Sequence, residues 1–190
     1  MAGDKITLTK IKQANRMVIV FYYRPLLTIR ASVILVRERM MNKSQQVQTI
    51  TLAAAQQMAA AVQKKATEIN VAVVFSVVDR GGNTLLIQRM DEAFVSSCDI
   101  SLNKAWSACS LKQGTHEITP AVQPGQSLYG LQLTNQQRII IFGGGLPVIF
   151  NEQVIGAVGV SGGTVEQDQL LAQCALDCFP HYNLKREGIL

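Results

Sequence analysis

The 190-residue chain is poor in aromatic residues, at 6%, and holds a single tryptophan, Trp106. That shortage disfavours an aromatic platform for stacking nucleic-acid bases. Charge is scarce too: 16% of the residues are charged against 48% hydrophobic. A disordered tail or a bare linker is thereby excluded, and one buried core is within reach. Long apolar runs are missing. The uncharged stretch over 17–23 stops at Arg24 and Pro25, well short of the roughly 18 residues of a membrane span. Histidine is limited to His116 and His181, too few for a His-rich metal site. The four cysteines, Cys98, Cys109, Cys174 and Cys178, form no C-x-x-C pair. A zinc or disulfide frame is not indicated, and reduced thiols in a cytoplasmic protein are expected.

Basic charge is present but unevenly placed. Of the net +5, residues 1–40 hold eight basic and two acidic side chains, a net of +6. Residues 41–190 hold ten and eleven, a net of −1. The larger part therefore carries no electrostatic footprint for nucleic acid. A secretory signal fits residues 1–40 poorly, since Arg24 and Pro25 interrupt the apolar stretch. Met40 and Met41 open a segment, Met-Asn-Lys-Ser, that reads as a bacterial start. Residues 1–40 are expected to be a non-native upstream extension or a disordered segment. Residues 44–180 are expected to form one domain and 181–190 a loose tail.

From Thr49 onward the pattern is regular. Leu52, Ala55, Met58, Ala59 and Val62 recur at helical spacing, predicting a helix over 49–69. A β-branched run over 71–78, the turn Asp79-Arg80-Gly81-Gly82-Asn83 and a second run over 84–89 predict a hairpin. A helix follows over 96–112, with Ile100, Ala105, Ala108 and Leu111 inward. Residues 115–136 are rich in loop formers. Strands are expected over 138–142, 146–150 and 153–160, the last two joined at Asn151 and Glu152. Thr164 and Gln167 have the spacing of a capping box and open a helix over 165–178. This order predicts an α+β fold, an antiparallel sheet of about five strands with flanking helices. The many alanines of the first helix leave room for close approach by another element, a feature compatible with a homo-oligomer.

Familiar signatures of catalysis are missing. Gly156, Gly159, Gly162 and Gly163 lack the G-x-G core and βαβ setting of a dinucleotide loop. No P-loop lysine, H-E-x-x-H or G-x-S-x-G is present. Two glycine clusters after strands remain: Gly143, Gly144 and Gly145, then Gly162 and Gly163 before Thr164. Uncovered backbone N–H groups there can hold an anion. The simpler reading is sharp turns, with Glu166 and Asp168 answering the helix dipole themselves. Lys104 borders an apolar helix face, so it either snorkels or pairs with a carboxylate. Asp91, Asp99 and Glu166 are the candidate partners. Strand ends and a helix start gather at one edge of such a sheet. The expected ligand-binding set is therefore Arg89, Asp91, Lys104, Gly143, Gly144, Gly145, Gly162, Gly163, Thr164 and Glu166, with no metal site.

The motifs fall in a recognisable order. Val77-Val78-Asp79-x-Gly81-Gly82 comes first, then Arg89-Met90-Asp91, Lys104-Ala105 and Gln123-Pro124-Gly125. Phe142-Gly143-Gly144-Gly145-Leu146-Pro147 follows. The last runs from Gly156-Ala157-Val158-Gly159-Val160-Ser161-Gly162-Gly163-Thr164 to Glu166-Gln167-Asp168. Over roughly 49–179 the chain resembles the GlcG, HbpS and PduO C-terminal domain family, also called the haem-degrading domain family. It is most similar to short stand-alone members found beside bacterial glycerol and diol utilisation genes. The resemblance implies a profilin-like α+β domain that assembles as homo-oligomers. Some relatives bind haem; others sit beside cobalamin-dependent or glycolate-oxidation machinery. Many relatives have Gly-Gly-His where this chain has Gly82-Asn83, which leaves only His116 and His181 to offer an imidazole.

Three functions follow as expectations. One is a small-ligand accessory protein binding haem or a corrinoid, with His116, Met90 and Tyr129 as candidate axial ligands. Another is an enzyme acting on a small hydroxylated metabolite, with Lys104 and Asp91 or Glu166 as a proton-transfer pair. The third is a structural oligomer without a ligand of its own. No nucleic-acid or membrane partner is expected.

Overall fold

The protein is described by a computed structural model over residues 8–13, 16–21 and 45–179. The chain divides into two compact units, Met1–Val47 and Gln48–Leu190. In the first, β1 (Leu8–Gln13) and β2 (Arg16–Phe21) pair antiparallel, Leu8 opposite Phe21 and Gln13 opposite Arg16. The remainder of the segment over 1–40, and the tail over 181–190 with His181, lie outside the described residues.

The second unit opens with α1 (Leu52–Glu68), started by Thr51, whose hydroxyl accepts the Ala54 N–H at 3.2 Å. Then follow β3 (Val74–Asp79), β4 (Thr84–Arg89), α2 (Ser96–Leu111) and the short α3 (Thr115–Ile118). Three 3-10 turns lead to β5 (Gly145–Phe150), β6 (Gln153–Ser161) and α4 (Val165–Asp177). The β3–β4 turn is held by Asp79, whose carboxylate accepts the N–H groups of Gly81 at 2.8 Å and Asn83 at 2.9 Å. Gly82 there takes φ +77°, open to glycine at little cost. Asn151 and Glu152, at φ 47° and 63°, turn β5 into β6, the twist a two-residue hairpin needs.

The sheet order is β4-β3-β6-β5, antiparallel throughout. Four strands form it, not about five. The segment over 138–142 forms no strand because its backbone groups bond elsewhere. Ser107 Oγ accepts the Ile140 N–H at 2.9 Å, and the Ile141 carbonyl accepts the Thr119 hydroxyl at 2.7 Å.

Helices cover both faces. Side chains alternate along β6: Val158 and Val160 join the core under α1 and α4, while Ala157 faces α2. In α1, Ala55, Ala59 and Ala66 are buried and help α4 approach; Ala53 and Ala60 are exposed. The inner face of α2 is small and partly polar. Ala105 and Ala108 point in as expected, but Ile100 and Leu111 are only half-buried. Ser97 and Ser101 complete that face, and their hydroxyls meet Ser161 Oγ at 3.1 Å and Ser76 Oγ at 2.7 Å. Each buried hydroxyl thus has a partner. The small face lets α2 lie close on β6: a Cβ at Gly159 would collide with the Ser101 carbonyl. Among the described residues, no helix is long and apolar enough to cross a membrane.

Candidate functional site

Lys104 is the centre of the glycine-rich end of the sheet. It sits on the inner face of α2 and is 0% exposed. Its ammonium donates to Asp168 Oδ2 at 2.7 Å and to the Val160 carbonyl at 2.9 Å, and lies 4.9 Å from the Phe142 ring centroid. Asp168, in the first turn of α4, also accepts the Gly163 N–H on Oδ1 at 3.0 Å. Burial pushes the Lys104 ammonium below its ordinary pKa and the Asp168 carboxyl above its own, while the attraction between them opposes both shifts. The short contact and the extra hydrogen bonds on each partner favour the charged pair, as a buried ion pair requires.

The partner is therefore Asp168 and none of the three expected. Asp99 accepts from Asn103 Nδ2 at 3.0 Å. Asp91 lines an open depression with Arg89, Met90 and Glu92. Glu166 is exposed, and hydrogen bonds from its own backbone N–H and the Thr164 side chain hold its carboxyl below the usual range. The signal for Asp168 was its spacing: Asp168, Leu171, Ala172 and Ala175 share the buried face of α4. Thr164 does cap that helix, accepting the Gln167 N–H while Gln167 Oε1 accepts the Thr164 N–H.

The glycines meet this pair directly. The Gly144 N–H donates to Gln169 Oε1 at 2.9 Å, and a Cβ at Gly144 would lie 2.8 Å from Lys104 Nζ and 2.9 Å from Asp168 Cβ. Gly145 donates to Thr115 Oγ1 at 3.0 Å. Gly162, at φ +149°, passes against the backbone of Ala72 and Val73. Arg89 ends β4 in the same row of the sheet, since Val74 lies opposite both Arg89 and Ser161. It stands on the other edge, however, about 14 Å across at the usual strand spacing. Its guanidinium donates to the Ala93 carbonyl at 2.9 and 2.7 Å. Lys104, both glycine clusters and the start of α4 thus come together, while Arg89 and Asp91 line a separate depression.

A second group of side chains gathers on the outside of the same loop. A Cβ at Gly143 would lie 3.1 Å from Val165 Cγ1, 3.2 Å from Gln169 Oε1 and 3.5 Å from His116 Cβ. Phe142 and Val165 are exposed there. The His116 side chain is 46% exposed, with Nε2 4.0 Å from Glu117 Oε1. Glu117 is itself fixed, accepting the Gly114 N–H at 3.0 Å. Met90 packs half-buried against the core, and Tyr129 lies exposed in the long loop. An imidazole beside two exposed apolar side chains can present a nitrogen ligand next to a surface that favours a flat apolar ring.

Residues 50–177 match the family model described as haem degrading protein HbpS-like. The chain is 81% identical over 139 residues to the 15.0 kDa protein of the dhaT-dhaS intergenic region of Citrobacter freundii, covering 73% of this chain and 98% of that one. The crystal structure of Klebsiella pneumoniae protein ORFY is 98% identical, covers 73% of this chain and 96% of its own, and has a TM-score of 0.72. The crystal structure of a PduOC:heme complex is 36% identical, covers 70% and 96%, and has a TM-score of 0.68.

Proposed function

We propose that this chain, which belongs to the haem-degrading HbpS-like family, is a cytoplasmic accessory protein that binds haem on the surface around Gly143. The observation that carries the reading is the convergence of His116 and Val165 on Gly143, beside the exposed Phe142. Haem iron brings four ring nitrogens of its own, so one protein imidazole suffices as an axial ligand. Among the three candidate ligands, His116 is the one that touches the glycine loop. The donor chemistry and the apolar surface therefore fit the group. A 36% identical relative has been solved as a haem complex, which supports the same assignment.

Each residue then has a part. His116 offers the ligand, and Glu117 faces its Nε2. Phe142 and Val165 give the ring an apolar floor. Lys104 holds Phe142 from below through its cation–π contact. When bound, haem supplies a redox-active iron. The proton-transfer reading has no support from this arrangement, because Lys104 pairs with Asp168 and not with Asp91 or Glu166.

The experiment is an absorbance titration of the full chain with haem and, separately, with hydroxocobalamin. A Soret shift that saturates at one haem per chain is expected. Unsaturable haem spectra would overturn the proposal, and saturation by the corrinoid alone would move it to that ligand.

A further inference from the structure

We infer that Cys174 and Cys178, at the end of α4, form a two-thiolate site for a soft monovalent metal ion of the copper(I) class. All four cysteines are free thiols. Cys98 and Cys109 stand about 16 Å apart along α2 and cannot act together. Cys174 and Cys178 can. The helix runs regularly to Asp177, and Cys178 keeps right-handed helical backbone at φ −83° and ψ −6°. Residues four apart on such a helix share a face, with Cβ atoms about 5–6 Å apart. Cys174 is half-buried at the seam with α1, its Sγ 3.8 Å from the Ala61 carbonyl oxygen. Cys178 is exposed, and its thiol donates to the Ala175 carbonyl at 3.0 Å. A small ion therefore reaches the pair from solvent.

The spacing selects the occupant. A disulfide needs Cβ atoms about 3.5–4.5 Å apart, closer than the intact helix allows. Unwinding the last turn would pull on Phe179, which packs against the core and donates its N–H to the Leu176 carbonyl at 2.9 Å. A metal bridge is longer. Two metal–sulfur bonds of about 2.3 Å set in line span about 4.6 Å, which the two side chains reach by rotation about χ1 alone. Zinc takes four ligands in its structural sites, and no group of three or more His, Cys, Asp and Glu that could hold a metal occurs among the described residues. Calcium and magnesium take oxygen ligands. A soft ion satisfied by two thiolates remains. The surroundings favour it. Burial first, then the nearby Asp177, raise the pKa of both thiols, and Lys65 beside Cys174 is itself paired with Glu68 at 3.2 Å. Bare thiolates are thus disfavoured, while a cation is welcome at the negative end of the helix dipole. Binding forms two copper–sulfur bonds, breaks two S–H bonds and releases both protons to water. Copper stays in its monovalent state, and the bridged pair keeps a single negative charge.

The test is an anaerobic copper(I) titration of the full chain against the coloured chelator bicinchoninate. The proteins are the parent, Cys174→Ser, Cys178→Ser, the double serine variant and Cys98→Ser. Haem is absent throughout, so the outcome does not depend on the haem reading. The parent should withdraw one copper per chain from the chelator. Each single variant at the pair should hold that copper at least a hundredfold more weakly. The double variant should hold it no more weakly than either single one, because one thiolate cannot bridge. Cys98→Ser should match the parent. Thermal melting verifies folding, and Cys178→Ser, a change at an exposed position, carries the test if Cys174→Ser unfolds the chain. A parent that withdraws no copper would overturn the inference. So would a Cys178→Ser variant that holds copper as tightly as the parent, or an equal loss in Cys98→Ser.

Discussion

Lys104 and Asp168 meet at 2.7 Å in the interior, one on α2 and the other in the first turn of α4. The contact ties two helices on opposite faces of the sheet through its glycine-rich end. Both ions have left water, and each has a further hydrogen bond. Removing one partner strands the other. Lys104→Ala and Asp168→Ala should each cost about 3–5 kcal/mol. A Lys104→Ala, Asp168→Ala double variant should lose less than the sum of the single changes. Urea unfolding of the four proteins measures this, and strictly additive losses would show that the two do not act as a pair. Complete burial makes Lys104 part of the core as well as of the glycine-rich end of the sheet.

Gly159 reports on the closeness of α2 to β6. Gly159→Ala should destabilise by about 3 kcal/mol or more, because the methyl group runs into the Ser101 carbonyl and sits 2.6 Å from the Ala105 nitrogen. Gly125 provides the contrast: nothing lies within 4 Å of its Cβ position, and only its φ of +83° resists a side chain. Gly125→Ala should cost about 1–2 kcal/mol. Equal losses at the two sites in thermal or denaturant unfolding would contradict the close packing.

Asp79 ties the β3–β4 turn to acidity. Burial works against its charged form, but the Asn83 side chain and the N–H groups of Asn83 and Gly81 outweigh it, and its pKa falls below 3.8. A folded pKa below the unfolded one stabilises above the unfolded value and is lost as pH drops through the folded value. Asp79→Ala should therefore lower stability at neutral pH by about 1–2 kcal/mol. The gap from the parent should narrow as the pH is taken below 3.8. Melting curves across acid pH decide it; a gap that widens in acid would contradict the assignment.

Much of the fold is legible in the residues. β4 occupies Thr84–Arg89 as expected, and the flanking strands and helices shift by only a few residues. Their turns are chemically marked, by Asp79 to Asn83, by Asn151 and Glu152, and by Thr164 with Gln167. The segment over 138–142 misleads because its apolar run, Ile139 to Phe142, looks like a strand. Its hydrogen bonds go to Ser107 and Thr119, which no local pattern reveals. Within the site, the glycines and Lys104 are legible as a group. Asp168 is not, because an acidic residue in a first helical turn reads equally well as a partner of the helix dipole. The outer group is less visible still. His116 is brought beside Phe142 and Val165 by three separated segments.

Haem titration of the parent and of His116→Ala, with Met90→Ala and Tyr129→Phe alongside, tests the haem site most directly. His116 is a half-exposed surface residue, so the variant should fold, and circular dichroism verifies that. The expected result is saturable binding by the parent, Met90→Ala and Tyr129→Phe, with at least a tenfold loss of affinity and a displaced Soret band for His116→Ala. Binding by His116→Ala with the parent's affinity and spectrum would contradict it.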